Sequence, residues 1–99
     1  MQRGGSIYIM TNRRRGVLYI GVTSDLIGRT TQHRLREKGG SFTARYRLGM
    51  LVYYEHFAFI EEAIAREKQL KAGSRSRKIA LIEAMNPNWK DLYDELLEP

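Results

Sequence analysis

The chain contains no cysteine. Disulfide bonds and cysteine-held zinc or iron–sulfur centres are therefore excluded. Its two histidines, His33 and His56, are too few for a histidine-rich metal site. No apolar run approaches the roughly 18 residues of a membrane-spanning helix. The opening, MQRGGSIYIM, lacks the apolar stretch of a secretory signal. A cytoplasmic protein with no membrane association is the expectation. Acid is also scarce through most of the length: residues 1–80 hold 16 lysines and arginines against 6 aspartates and glutamates, whereas residues 81–99 are net −4.

That imbalance gives the body a charge of +10 and suggests a polyanionic partner, with a merely solubilising surface as the bland alternative. Of the 17 basic residues 12 are arginine, whose planar fork suits phosphate better than the lysine ammonium does. At 99 residues the chain is long enough for a single domain, 1–99. No internal repeat or low-complexity tract divides it.

Residues 6–10 and 17–22 read as two strands joined by TNRRRG. Ser24 or Asp25 can cap a helix over about 25–37, ended by KGG at 38–40. MLVYYEHF, 50–57, reads as a third strand because it is rich in β-branched and aromatic residues. Helices follow over 59–72, stopped near Gly73, and over about 75–85, capped by Ser74 and broken at Pro87. A short acidic helix covers about 88–97. The order β-β-α-β-α-α-α fits an α+β fold: a small three-stranded, mainly antiparallel sheet flanked by helices.

Three places break the pattern. Alternation along the first two strands puts Ile7, Ile9, Leu18 and Ile20 on one face and Tyr8 and Tyr19 on the other, where cross-strand aromatic packing is the ordinary explanation. The helix at 25–37 has a poor apolar face, and Arg29 and His33 stack four residues apart on it, either as a solvated face or as a site. On the helix at 59–72, at about 100° per residue, Glu67 falls inside the stripe formed by Ile60, Ala63, Ile64 and Leu70. A covered carboxylate needs a partner: an arginine, or a divalent cation.

Together these residues resemble the GIY-YIG nuclease superfamily, and most closely its small stand-alone bacterial, URI-type group. Ser6, Ile7 and Tyr8 stand where the first motif stands, and Tyr19, Ile20 and Gly21 are the second motif letter for letter. Arg29 and His33 match the arginine and histidine of the following helix, and Glu67 within REKQLK matches the metal-binding glutamate. Asn86 of NPNW is a weak match to a later asparagine. Two positions depart from the pattern: Ser6 replaces a glycine, and Gly28 stands where the family often has a basic residue. The resemblance implies a GIY-YIG-like core over about 4–85 and hydrolysis of DNA phosphodiester bonds with a single Mg²⁺ (or Mn²⁺) on Glu67 and no small-molecule cofactor. It also implies that Arg29 stabilises the phosphate, that Tyr8 or Tyr19 orients or deprotonates water, and that His33 assists. Which tyrosine is the base stays open.

No separate DNA-binding module is present, so binding falls to this same unit. The candidates are Arg13, Arg14 and Arg15 in the hairpin turn, Arg45 and Arg47 before the third strand, and Lys71, Arg75, Arg77 and Lys78 around the last helix junction. With few base-reading elements, recognition of backbone and shape over sequence is expected. A homodimer is one way for such a domain to cut both strands. The competing reading is a non-catalytic nucleic-acid-binding domain that keeps the nuclease fold; a protein-interaction module with an acidic tail is weaker still.

Overall fold

A computed structural model describes residues 4–35 and 48–98. Strand β1 (Gly5–Thr11) lies in the middle of a three-stranded sheet, antiparallel to β2 (Leu18–Thr23) on one side and to β3 (Met50–Phe57) on the other. The helices are α1 (Leu26–Leu35), α2 (Ile60–Ala72), α3 (Arg75–Met85) and α4 (Tyr93–Leu97). All seven residues of β1 are buried, as expected of a central strand covered on both faces.

Alternation divides β1 as the sequence predicts. Ile7 and Ile9 join Ile20, Val52 and Tyr53 beneath Ala63 and Leu70 of α2 and Ile82 of α3. Tyr8 and Met10 point the other way and pack with Leu26 of α1, Leu48, Leu51 and Leu92. The tyrosine face is therefore a second core, not an open surface. In register, Tyr8 stands opposite Gly21 on β2 and Tyr54 on β3.

Local chemistry sets the helix ends. The Asp25 carboxylate accepts from the Gly28 amide at 3.0 Å and opens α1. Its C-terminal limit and the KGG stop fall outside the described residues. The Glu62 carboxylate accepts from the Phe59 amide at 3.1 Å ahead of α2, and Ser74 Oγ accepts from the Arg77 amide at 3.2 Å to cap α3. The acidic helix begins at Tyr93, later than the sequence suggests. Asn86 Oδ1 accepts from the Lys90 amide, Trp89 takes a positive φ of 55°, and Asp91 Oδ1 accepts from the amides of Leu51 and Tyr93. These bonds hold 86–91 as a turn clipped to β3, and the helix is confined to the five residues Tyr93–Leu97.

Candidate active site

Tyr8, in the middle strand, is 2% exposed. Its hydroxyl lies 3.0 Å from His33 Nε2 in a buried hydrogen bond. The Tyr8 and Tyr19 ring centroids are 6.2 Å apart, and the His33 ring sits 5.6 Å from one and 5.5 Å from the other. The three rings form a triangle with β1, β2 and α1 each supplying one corner. One glycine and one threonine make this possible. A Cβ on Gly21 would come within 2.8 Å of Tyr8 Cε1 and closer still to Cζ and the hydroxyl, so the phenol lies directly over a bare strand. Thr30, fully buried on the inner face of α1, donates to the Leu26 carbonyl at 2.8 Å, which lets that polar face sit against the sheet.

Charge surrounds the triangle. Burial, then Tyr19, push the Tyr8 phenol well above its ordinary value; the Arg29 guanidinium pulls it down and the Glu67 carboxylate adds to the rise. Burial, and then the Arg29 charge, hold the His33 imidazole below its ordinary value, so it is neutral at neutral pH. Tyr8 thus feels Tyr19, Arg29 and Glu67 while bonding to His33. The structure brings Tyr8, Tyr19 and His33 into contact, and the charges of Arg29 and Glu67 act on the Tyr8 hydroxyl.

Residues 4–80 match the family model described as the GIY-YIG catalytic domain. The chain belongs to the GIY-YIG family. It is 36% identical over 78 residues to a UPF0213 protein of Desulfotalea psychrophila, covering 79% of this chain and 71% of that one. Over 85 residues it is 33% identical to a UPF0213 protein of Bacillus pumilus, covering 86% of each. A UPF0213 protein of Staphylococcus haemolyticus is 38% identical over 66 residues, 67% of this chain and 79% of that one. No solved structure matches.

Glu67, which the resemblance puts at the metal position, has a side chain 16% exposed, paired with Lys71 at 3.1 Å. The sequence allowed an arginine partner; a lysine one turn along takes that place. Among the described residues no group of three or more His, Cys, Asp or Glu gathers. One largely covered carboxylate beside an exposed lysine would suit a hydrated Mg²⁺, which keeps most of its waters.

The basic candidates divide. Arg13 and Arg14 are exposed at the GIY-YIG hairpin turn, and Arg77 is exposed on α3. Arg15 is instead committed to the fold: it donates twice to the Glu83 carboxylate, at 3.1 Å each, and Glu83 also accepts from Trp89 Nε1 at 2.8 Å. Arg75 donates to the carbonyls of Arg15 and Gly16, bracing the same turn, and Lys78 Nζ donates to the Gly73 carbonyl. Arg45 and Arg47 lie outside the described residues. Asn86 is 4% exposed, and its amide donates to the carbonyls of Val52 and Lys90, which places it in the tail clip and away from the ring triangle.

The sequence reading missed the partner of Ser6. Its hydroxyl lies 2.6 Å from His56 Nδ1, on the strand face that also carries Tyr8. The substituted glycine of the motif thus gains a cross-strand bond. The pairing of β1 with β3 is not visible from local pattern, so nothing in the sequence pointed to it. No helix among the described residues is long and apolar enough to cross a membrane.

Proposed function

We propose that this GIY-YIG protein is a divalent-metal-dependent endonuclease that hydrolyses DNA phosphodiester bonds and recognises backbone and shape more than sequence. The observation that supports it is the 3.0 Å bond between the buried Tyr8 hydroxyl and a neutral His33, with Arg29 and Glu67 both felt at that hydroxyl.

The Tyr8–His33 bond supports a proton relay. Burial keeps Tyr8 protonated, so it does not act as a standing tyrosinate base. With His33 Nε2 unprotonated, Tyr8 donates to it and keeps lone-pair density on its oxygen with which to accept a proton. As water attacks phosphorus, its proton passes to the Tyr8 oxygen while the phenol proton passes to His33. The relay needs a neutral imidazole, which is what burial and Arg29 provide. Tyr19 borders both rings and orients them. Arg29, exposed on α1 one turn before His33, would place its fork on a non-bridging phosphate oxygen. Glu67 would hold the Mg²⁺, whose chemistry is to neutralise charge on the phosphate and leaving oxygen.

The test is incubation with supercoiled, single-stranded and branched DNA in Mg²⁺, Mn²⁺ or EDTA, beside Glu67→Ala and Arg29→Ala. Cutting by wild type that EDTA stops is expected, with Arg29→Ala slower by about 10²–10³-fold. Wild type that binds every substrate and cuts none overturns the enzyme reading and leaves the binding-domain one.

A further inference from the structure

A cleft of about 650 Å³ opens beside the ring triangle. One wall is the outer side of β2, with Leu18, Tyr19 and Ile20; the other carries Lys71, Arg75 and Lys78 from the α2–α3 junction. Three features point to its occupant. Its lining holds three cations and no carboxylate. β2 is an edge strand among the described residues, so alternate backbone amides face outward and can donate to an anion. Tyr19 belongs both to this cleft and to the active site, so whatever fills the cleft continues from the reacting phosphate.

Lys71 is shared in the same way. It lines the cleft, yet its ammonium rests 3.1 Å from Glu67, with its side chain 55% exposed. A pair one helical turn apart with its ammonium largely in solvent holds that ammonium only loosely. A cation on Glu67 displaces the ammonium, and the flexible stem can then turn toward the cleft.

We propose that this cleft holds the nucleotide next to the scissile phosphate. Its phosphate lies among Lys71, Arg75 and Lys78, and its sugar and base lie along the aliphatic edge of β2. Lys71 couples this subsite to Glu67: a divalent cation on the carboxylate frees Lys71 to grip DNA, and the two ligands strengthen each other by the same factor. This rests on the nuclease reading, but its test does not use cleavage.

The probe is a fluorescein-labelled DNA duplex followed by anisotropy in EDTA and in Ca²⁺, an oxygen-seeking ion used in place of Mg²⁺. In EDTA at about 0.15 M salt, Lys78→Gln is expected to weaken binding about fivefold and to lower the salt slope by about one phosphate contact. Ca²⁺ should tighten wild type and Lys78→Gln by equal factors. In Ca²⁺, Lys71→Gln should show the same fivefold loss, and the tightening by Ca²⁺ should be smaller than in wild type. Lys90→Gln makes the same charge change on an exposed lysine outside the cleft and should leave binding unchanged. If Lys71→Gln and Lys78→Gln behave as Lys90→Gln does, or if Ca²⁺ tightens Lys71→Gln as much as wild type, the proposal fails. A protein that shows the expected pattern but never cuts DNA would sink the nuclease reading and leave this subsite standing.

Discussion

Gly21→Ala is the sharpest probe of the ring triangle. The added methyl would sit 2.8 Å from Tyr8 Cε1 and closer to its Cζ and hydroxyl, where ordinary carbon contacts begin near 3.5 Å. The ring must retreat by about 1 Å. It has little room, being 2% exposed between the strand below and His33 above. Overpacking of this kind costs about 1–3 kcal/mol. For a chain near 100 residues that lowers Tm by about 5–20 °C. The larger effect falls on chemistry, because the retreat breaks the 3.0 Å Tyr8–His33 bond, and misplacement on that scale costs about 10²-fold in rate. Thermal melting, the His33 ring signals in NMR and plasmid nicking would be read together. An alanine at 21 that leaves the His33 signals and the nicking rate at wild-type values would refute the packing argument, whatever its Tm.

Four other outcomes follow from the same structure. Because burial and Arg29 lower the His33 pKa, its neutral form persists below the ordinary value near 6.5. Cleavage should stay level from neutral pH down to about 6.5 and fall only below it, and His33→Gln should remove that acid limb. The same shift makes the unfolded chain bind protons first. His33 therefore contributes stability that is present above about 6.5 and lost as pH falls through the lower folded value, which pH-dependent denaturant melts of wild type and His33→Gln would show. Asn86→Ala leaves the buried Val52 carbonyl and both Lys90 backbone groups without their partner, so about 2–3 kcal/mol and 10–20 °C of Tm should be lost while DNA cleavage at low temperature is kept. Arg14→Ala should lower the salt dependence of DNA binding more than Arg15→Ala, since Arg15 is already held by Glu83; equal slopes in fluorescence titrations would contradict that division.

What could be read from the sequence follows the range of the forces involved. β3 falls at 50–57 and α3 at 75–85, as expected, because each is bounded by local chemistry: aromatic and β-branched runs in one, the Ser74 cap and the Pro87 stop in the other. The two faces of β1 were equally legible from alternation. What covers the tyrosine face was not. α1 presents Leu26, Thr30 and His33 to the sheet, and two of those three are polar, so no apolar period marks the buried side. Thr30 is tolerated there only because it bonds back to Leu26, and His33 only because Tyr8 waits beneath it. Arg15 and Glu83 are 68 residues apart, and no local rule could have removed that arginine from the set free to meet DNA.

The same long-range packing decides what the motif tyrosines can do. Read along the strands, Tyr8 and Tyr19 are equivalent members of a cross-strand aromatic pair. In the fold they differ: Tyr8 is buried on the central strand, while Tyr19 lies on the edge strand and borders an open cleft. Burial works against ionising Tyr8, and Arg29 offsets only part of that. A phenol so placed is useful as a conduit, because it can accept a proton on one side only while giving one up on the other. The group that receives it must be neutral, close and shielded from competing protons. His33 meets all three conditions, at 3.0 Å, 9% exposed and with its basicity reduced. On the proposed reading the proton relay therefore runs through the Tyr8–His33 pair, and Tyr19 borders both that pair and the cleft.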